Sequence, residues 1–383
     1  MIPPDNRDNR ARIRSAWPTR RVDAARHLLH PRQMRDSLTL ADQPYWRNAS
    51  LAGLQSALTA AIALPIVYLS PWSHLIGYAA LGALVALFGR YAPERSRNHI
   101  LFQCALVQTL AVFIMSAAGW LGLPLSVRLV MLALSCGIFF FVAVLGRFGP
   151  PGPLIFIFAA GAAMANADSF AQVLERTAAT AVVALLAWAI CAVSEHLRHH
   201  AAPDRPLPEE PVRSPRQLLL ASARTVVAAA IAILAAATLG ADYPVWAAMG
   251  ALAVLQGAHL HISMNRALQR MAGTVIGALL VWFILGQGPS VWTIIALLVI
   301  LQYATELIIG SNYALGQVLV TPMALLMTHL AAPRVDGAVM VSERVLDTLL
   351  GAGVGIIIAV LSSSMEERHR LARHVARRRS ASR

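Results

Sequence analysis

Residues 341–361 read VSERVLDTLLGAGVGIIIAVL and join three charged side chains to a long apolar run. The charges all lie in the first seven positions, at the start of what length and composition predict to be a membrane helix. Charge at such a place costs free energy unless it is paired or used. The pattern occurs again 168 positions earlier, where residues 173–180 read VLERTAAT. The chain therefore places Glu-Arg-x-x-x-Thr twice, each time before a strongly hydrophobic segment.

The composition is that of a polytopic membrane protein. Of the 383 residues, 57% are hydrophobic and 13% are charged, and the mean hydropathy is +0.59. A soluble domain has about a quarter charged residues. The net charge of +13 comes from arginines that cluster in tails and alternate loops, a distribution typical of membrane topology. We therefore expect no nucleic-acid partner and a lipid bilayer as the surrounding medium.

Charge and hydropathy divide the chain into five parts. A basic arm at 1–48 precedes six apolar segments at 49–194, a linker rich in proline and charge at 195–216, six further apolar segments at 217–361, and a basic tail at 362–383. The arm predicts either a short interfacial helix or a disordered tail. It lacks the pattern of a secretory signal peptide, so the first spanning helix is expected to direct insertion.

The placement of arginine predicts the orientation. If both termini are cytoplasmic, the arm, the linker, the tail and most loop arginines lie inside. Only Arg128, Arg176, Arg334 and Arg344 then lie towards the outside. The opposite orientation would translocate nearly all the positive charge.

The shift of 168 positions extends beyond the opening motif. Residues 78–84, YAALGAL, match residues 246–252, WAAMGAL. We therefore predict an all-α protein of about twelve transmembrane helices, arranged as two parallel six-helix repeats. The matching second and eighth segments are short, and in transporters such segments point towards a binding region. They are also compatible with tilted or thin-spanning helices.

Two predicted helix faces carry a cation followed by small residues. The members are Arg270, Gly273, Thr274 and Gly277 on one face, and Arg344, Asp347, Thr348, Gly351 and Gly355 on the other. The glycine pairs are spaced for close helix packing. The arginines are expected to pair or to meet an anion. Arg270 is predicted at the cytoplasmic mouth and Arg344 at the outer mouth, with Asp347 either pairing with Arg344 or exchanging protons.

A second motif reads TELIIGSNYALGQVLVTPMALL. Glu306 is an acid near the inner end of its segment, and Asn312 and Tyr313 are predicted at the inner mouth of the next one. Pro322 lies inside that segment and removes a backbone hydrogen bond, so it predicts either a helix kink or a polar cavity. Tyr313 is compatible with an interfacial anchor as well as with a substrate pathway.

No catalytic residue, cofactor or metal site is predicted. His196, His199 and His200 lie in the linker, where a solvated segment is favoured over a metal site. His259 and His261 fit the membrane interface better than a proton relay. The three cysteines lie in apolar runs and are interpreted as small hydrophobic residues.

NRALQRMAGTVIGALL, an acid followed by NYALxxVxxTPxALL, and ERVLDTLLGAGVG together resemble the membrane domain of the fusaric acid resistance and aromatic acid exporter family. The plant aluminium-activated malate transporters look like distant relatives. The resemblance is densest at residues 218–361. The first half shares GALVALFGRYAP and ERTAAT but lacks a clear Arg-x-x-Gly-Thr and has no NYA…TP, so the halves are expected to differ in role.

The resemblance implies efflux of small organic anions, typically aromatic carboxylic acids, across the bacterial inner membrane. It also implies the proton gradient as the driving force, with a periplasmic adaptor and an outer-membrane channel as partners in some relatives. A homo-oligomer is left open. The pathway candidates are Arg176, Arg270, Thr274, Asn312, Tyr313, Arg344 and Thr348, and the proton-coupling candidates are Glu306 and Asp347.

Three other functions remain open from the residues alone. A passive organic-anion channel would use the same cations. A carrier of the major facilitator type also has six plus six helices, but the loop GRYAPERSRN has no acidic residue in the order that class requires. A membrane enzyme or a non-transport assembly protein is the last alternative, although no clustered catalytic side chains support an enzyme.

Overall fold

The structure is a computed structural model that describes residues 46–198, 214–256, 260–331 and 337–363. Within these ranges the regular elements are all helical, and twelve α-helices follow one another along the chain. They are α1 (Trp46–Leu69), α2 (Ile76–Ala83), α3 (Glu94–Trp120), α4 (Leu125–Leu145), α5 (Leu154–Ala162), α6 (Phe170–Val193), α7 (Pro215–Thr238), α8 (Val245–Leu255), α9 (Leu260–Gly286), α10 (Val291–Ile308), α11 (Tyr313–Ala331) and α12 (Gly337–Leu361).

Nine of the helices in these ranges are long and apolar enough to cross a membrane. The other three are short: α2 has 8 residues, α5 has 9 and α8 has 11. The prediction of an all-helical, multi-pass membrane chain is confirmed. That all twelve helices span the membrane stays a prediction, because an 11-residue helix is only about 16 Å long against an apolar bilayer core of about 30 Å.

Several helices begin well before their apolar runs, as the need for about 20 residues per span predicts. Ser169 caps α6, since its side chain accepts a hydrogen bond from the backbone nitrogen of Gln172. This extension places Arg176, Arg270 and Arg344 inside helices, as expected.

The extension was also expected to include Arg90, and there the prediction is wrong. Arg90 lies in a turn after α2 and the short 3-10 helix Leu84–Leu87. Gly89, immediately before it, has φ of +66°, a left-handed conformation that ends a helix and that glycine adopts without strain.

The two short helices with matching sequence lie at the centre of their halves. Every residue of α2 and of α8 is buried. α2 packs against α1 and α6, and α8 packs against α7 and α12. The most extensive contacts between the halves are reciprocal: α1 packs against α10, and α4 packs against α7. These contacts favour a two-fold relation between the halves, which stays a prediction.

Several predictions concern residues outside the described ranges. They are the helix in the basic arm, the linker residues His199 and His200, His259, Arg334 and the basic tail. The side chain of His261 also lies outside the description.

Candidate functional site

Each copy of the repeated motif places its arginine over an aromatic ring of a short helix. The Arg176 guanidinium carbon lies 5.5 Å from the centroid of the Tyr78 ring on α2. The Arg344 guanidinium carbon lies 5.3 Å from the centroid of Trp246 on α8. Both distances are within the range of a cation–π contact. The two pairs are related by the same shift of 168 positions.

The threonine of each motif lies where the backbone of its helix closely approaches a glycine of the short helix. A Cβ added to Gly82 would be 2.6 Å from the carbonyl oxygen of Thr180, and one added to Gly250 would be 3.1 Å from that of Thr348. Only glycine permits such an approach without displacement of a neighbour. The motif therefore packs α6 against α2 and α12 against α8 in the same way.

The glutamate of each motif reaches the loop before the short helix. Glu175 Oε2 lies 3.5 Å from His74 Nε2. Glu343 Oε1 accepts a hydrogen bond of 2.6 Å from the backbone nitrogen of Asp242, which is the residue matching His74. In each half the motif thus contacts one short helix at three places: Glu contacts the loop before it, Arg contacts its aromatic ring, and Thr contacts its glycine. We call each of these two arrangements a clamp.

The two clamps differ in what their arginines bond. Arg176 donates from Nη1 to the carbonyl of Ala165 at 3.0 Å and from Nη2 to that of Asn166 at 2.8 Å. Arg344 is fully buried, and across the described residues none of its three guanidinium nitrogens has a hydrogen-bond acceptor. A buried donor without an acceptor costs free energy, so Arg344 is the more unusual of the two.

Arg270 lies near Arg344 in the interior. It is 1% exposed, and its Nη1 donates to Tyr313 Oη at 3.4 Å and to Gln317 Oε1 at 3.5 Å. Its Nε and Nη2 have no acceptor among the described residues. The charge of Arg344 is close enough to interact with those of Arg270 and Asp347 and with the Tyr313 hydroxyl. The structure therefore buries both arginines on helices that pack on each other, α9 and α12, and we call this group the buried cluster. Their places at opposite mouths of the membrane stay a prediction.

Two threonines and one aspartate follow these arginines within one turn on the same helices. Thr274 and Thr348 are buried, and their hydroxyls lack partners within the described ranges. The matching hydroxyl of Thr180 donates instead to the carbonyl of Tyr78 at 3.2 Å. Asp347 is also buried, and the described structure shows no ion pair between it and Arg344. Its position is matched in the first half by an alanine.

The glycines of α9 serve helix packing. A Cβ on Gly273 would lie 2.6 Å from Gln317 Cβ, and one on Gly277 would lie 2.6 Å from the carbonyl oxygen of Val318. That carbonyl is the one whose helical hydrogen bond Pro322 removes. The backbone of α9 therefore packs directly on α11 next to Pro322. The same packing keeps Gln317 within hydrogen-bond distance of Arg270.

The glycines of α12 serve packing as well. Gly351 lies against the carbonyl of Ala247, and a Cβ on Gly355 would lie 2.9 Å from the carbonyl oxygen of Ala251. Both contacts are to α8, so α8 has little room to move away from Arg344 without separating from α12.

Asn312 caps α11. Its side-chain oxygen accepts hydrogen bonds from the backbone nitrogens of Ala314 at 2.8 Å and Leu315 at 3.2 Å. This is the geometry of an N-cap, for which asparagine is among the preferred residues. The pattern Ser-Asn-Tyr-Ala at the start of an apolar run contained that signal.

Glu306 has a partner that the sequence did not reveal. It forms an ion pair with Arg90, and the side chains are 5% and 4% exposed. Nearby, Ser56 Oγ donates to Gln302 Oε1 at 2.8 Å. Both contacts join the first half of the chain to α10 in the second.

A further polar network lies at the end of α6 and was also missed. Arg97 is 1% exposed and donates to Glu195 at 2.8 Å and to Gln55 at 2.7 Å. Arg198 donates to the other oxygen of Glu195 at 2.7 Å. One carboxylate is thus shared by two guanidinium groups. In the part of the chain that is described, no three His, Cys, Asp or Glu side chains are grouped as metal ligands would be.

Comparison with known proteins supports the family resemblance over the second half. Residues 230–358 match the family described as fusaric acid resistance protein-like. A segment of 116 residues is 32% identical to the uncharacterized membrane protein YvaC of Bacillus subtilis (strain 168). That segment is 30% of this chain and 18% of the relative, so the chain covers less than a fifth of that protein. No solved structure matches.

The matched region contains Arg270, Glu306, Pro322 and Arg344. It also contains the whole second clamp, including Glu343 and the backbone of Asp242 that it accepts a hydrogen bond from. Residues 230–358 are therefore similar to the fusaric acid resistance protein-like family, in the region where the motifs are densest.

Proposed function

We propose that this protein exports small aromatic carboxylic acids or similar organic anions, and that Arg270 and Arg344 bind the carboxylate. The observation that carries the proposal is that Arg344 has three buried guanidinium nitrogens, and Arg270 two, for which the described residues provide no acceptor. A carboxylate offers up to four lone-pair sites and matches the fork of a guanidinium. An anion would therefore satisfy donors that the described protein leaves unbonded.

The charges favour an anion as well. Two cations near one another in a medium of low dielectric repel, and a nearby anion relieves that repulsion. Thr274 and Thr348 add hydroxyls without partners on the same helices, α9 and α12. Tyr313 and Gln317 orient Arg270 through its Nη1. Arg176 has its donors on loop carbonyls, so we assign it to the scaffold of the first half.

The unbonded nitrogens are shielded from solvent in this conformation. Substrate entry therefore requires helices around the cluster to separate, which is the kind of movement that alternating access needs. α9 and α12 carry the arginines and pack on each other, so their contact is the place where we expect that movement.

The drive is proposed to be the proton gradient, with Asp347 and Glu306 as the coupling acids. Asp347 lies one helical turn after Arg344, so protonation of its carboxyl would change the charge that the substrate meets. Glu306 is paired with Arg90, so its protonation would weaken a contact between the halves. Protonation of Asp347 would thus act at the substrate-binding arginines. Protonation of Glu306 would act where the turn that carries Arg90 meets α10.

The proposal places the protein in the bacterial inner membrane with both termini in the cytoplasm. It keeps the two six-helix repeats at 49–194 and 217–361 and assigns no enzymatic activity. A periplasmic adaptor and an outer-membrane channel are proposed partners, and a homo-oligomer is compatible with it.

Transport by purified protein in liposomes tests the proposal. Benzoate or another radiolabelled aromatic acid is expected to move against its gradient when a proton gradient is imposed. Arg270→Gln and Arg344→Gln are expected to reduce this flux at least tenfold, with normal amounts of folded protein. Unchanged flux in both variants would remove the arginines from the pathway.

The same experiment distinguishes a passive anion channel. A channel has the same need for cations, so the arginine variants alone do not separate it from an exporter. Flux that follows only the membrane potential, and stops without it, would establish the channel and exclude proton coupling.

A further inference from the structure

Arg344 lies over the ring of Trp246 in the described structure. The ring is 1% exposed, and the guanidinium carbon lies 5.3 Å from its centroid. Tyr243 stacks on Trp246, with ring centroids 4.9 Å apart and planes 19° apart. Two aromatic rings and a cation therefore stand together at the start of α8.

A cation–π contact differs from a hydrogen bond in one respect that matters here. The ring attracts the cation through its face and does not require the N–H groups, which remain free to donate elsewhere. A carboxylate partner would hold Arg344 as firmly but would occupy those donors. Holding Arg344 by an aromatic face thus keeps its three nitrogens available.

The first half provides the contrast within the same molecule. There Arg176 lies over Tyr78, and its nitrogens donate to Ala165 and Asn166. Tyrosine offers a weaker cation–π surface than tryptophan. The half with the weaker ring fixes its arginine by hydrogen bonds, and the half with the stronger ring leaves its arginine unbonded.

We propose that Trp246 is a positioning residue, which holds Arg344 by its ring face so that all three guanidinium nitrogens remain available to the transported anion. This inference rests on the proposed function, because it assigns a role to the ring through Arg344. It adds that Arg344 is held by an aromatic ring and not by an acidic side chain, so that its N–H groups are free to bind the anion.

The test compares Trp246→Leu, Trp246→Phe and the matched first-half variant Tyr78→Leu. Uptake of radiolabelled benzoate into liposomes is measured as a function of concentration, per amount of folded protein. Trp246→Leu is expected to raise KM roughly tenfold with little change in the maximal rate, the size that loss of a desolvated cation–π contact corresponds to. Trp246→Phe, which keeps a ring face, is expected to restore most of the affinity. Tyr78→Leu is expected to leave KM unchanged.

A double-mutant comparison separates this inference from the proposed function. In an Arg344→Gln background, Trp246→Leu is expected to have no further effect on KM, because the ring acts through the arginine. Equal effects of Trp246→Leu in both backgrounds would overturn the positioning role. A normal KM in Trp246→Leu together with impaired transport in Arg344→Gln would also overturn the positioning role. The proposed anion site at Arg344 would remain, with no part for Trp246. Normal transport by Arg344→Gln itself would instead overturn the proposed function.

Discussion

The guanidinium of Arg90 forms a buried ion pair with the carboxylate of Glu306, across the boundary between the two halves of the chain. Arg90 comes from the turn after α2, and Glu306 from the last turns of α10. Because both side chains are excluded from solvent, each charge depends on the other for compensation. This pair is therefore a buried electrostatic link between the halves.

Removal of one partner of this pair is therefore expected to be costly. Arg90→Ala should reduce the free energy of unfolding by about 3–5 kcal/mol, because an uncompensated carboxylate remains buried. Arg90→Met with Glu306→Met should recover most of that loss. Unfolding of purified protein in detergent, followed by tryptophan fluorescence, measures both. A double variant that is less stable than Arg90→Ala would contradict the pairing.

Neutralisation of Glu306 tests its proposed part in proton coupling. If the carboxyl must gain and lose a proton, Glu306→Gln should transport at a rate that no longer varies with pH. Liposome efflux measured between about pH 5.5 and 8 provides the profile. Glu175→Gln is the control, because that carboxyl is 40% exposed and belongs to the first clamp. A preserved pH profile in Glu306→Gln would exclude it from coupling.

The packing of α12 on α8 predicts a contrast between two neighbouring glycines. Gly351→Ala should destabilise the protein by about 1–3 kcal/mol, because the new methyl group meets the carbonyl of Ala247. Gly353→Ala should be neutral or slightly stabilising, since nothing lies within 4 Å of its added Cβ. Thermal unfolding of the two variants side by side checks this. Equal stability would show that α12 packs on α8 less closely than described.

Asn312 is expected to matter for stability more than for affinity. Asn312→Ala should cost about 1 kcal/mol, the usual loss when an N-cap is removed, whereas Asn312→Ser should retain most of it. Neither should change KM if the side chain only caps α11. A raised KM in the serine variant, with unchanged unfolding, would return Asn312 to the substrate pathway.

The sequence predicted contacts best where the residues concerned lie on one face of a single helix. The spacing of Gly273 and Gly277 predicted helix packing, and the structure shows both against α11. The shift of 168 positions matched Arg176 with Arg344, and in the structure each lies over the aromatic residue at the matching place in a short helix. The repeat arrangement as a whole stays a prediction.

The sequence did not reveal contacts between helices that are far apart along the chain. Arg270 and Arg344 were assigned to opposite mouths because each was measured from the apolar run that follows it. Their helices start about 10–15 Å before these residues, so each arginine lies two to three turns inside its helix and is covered by neighbouring helices. The pairing of Arg90 with Glu306 depends on how the halves meet, and no local pattern encodes that.

The second clamp also has a consequence for synthesis of the chain, because its two sides are made at different times. Trp246 and Gly250 reach their partners only when Arg344 and Thr348 have been made, 98 positions later in the chain. At about 5–20 residues per second, α8 must wait roughly 5–20 s on the ribosome for α12. During that interval this helix of 11 residues has only its contacts with α4, α5, α7 and α9 and lacks its most extensive one, which is with α12. A chain that stops before α12 would thus leave α8 without its clamp and would offer the cell's proteases an early target.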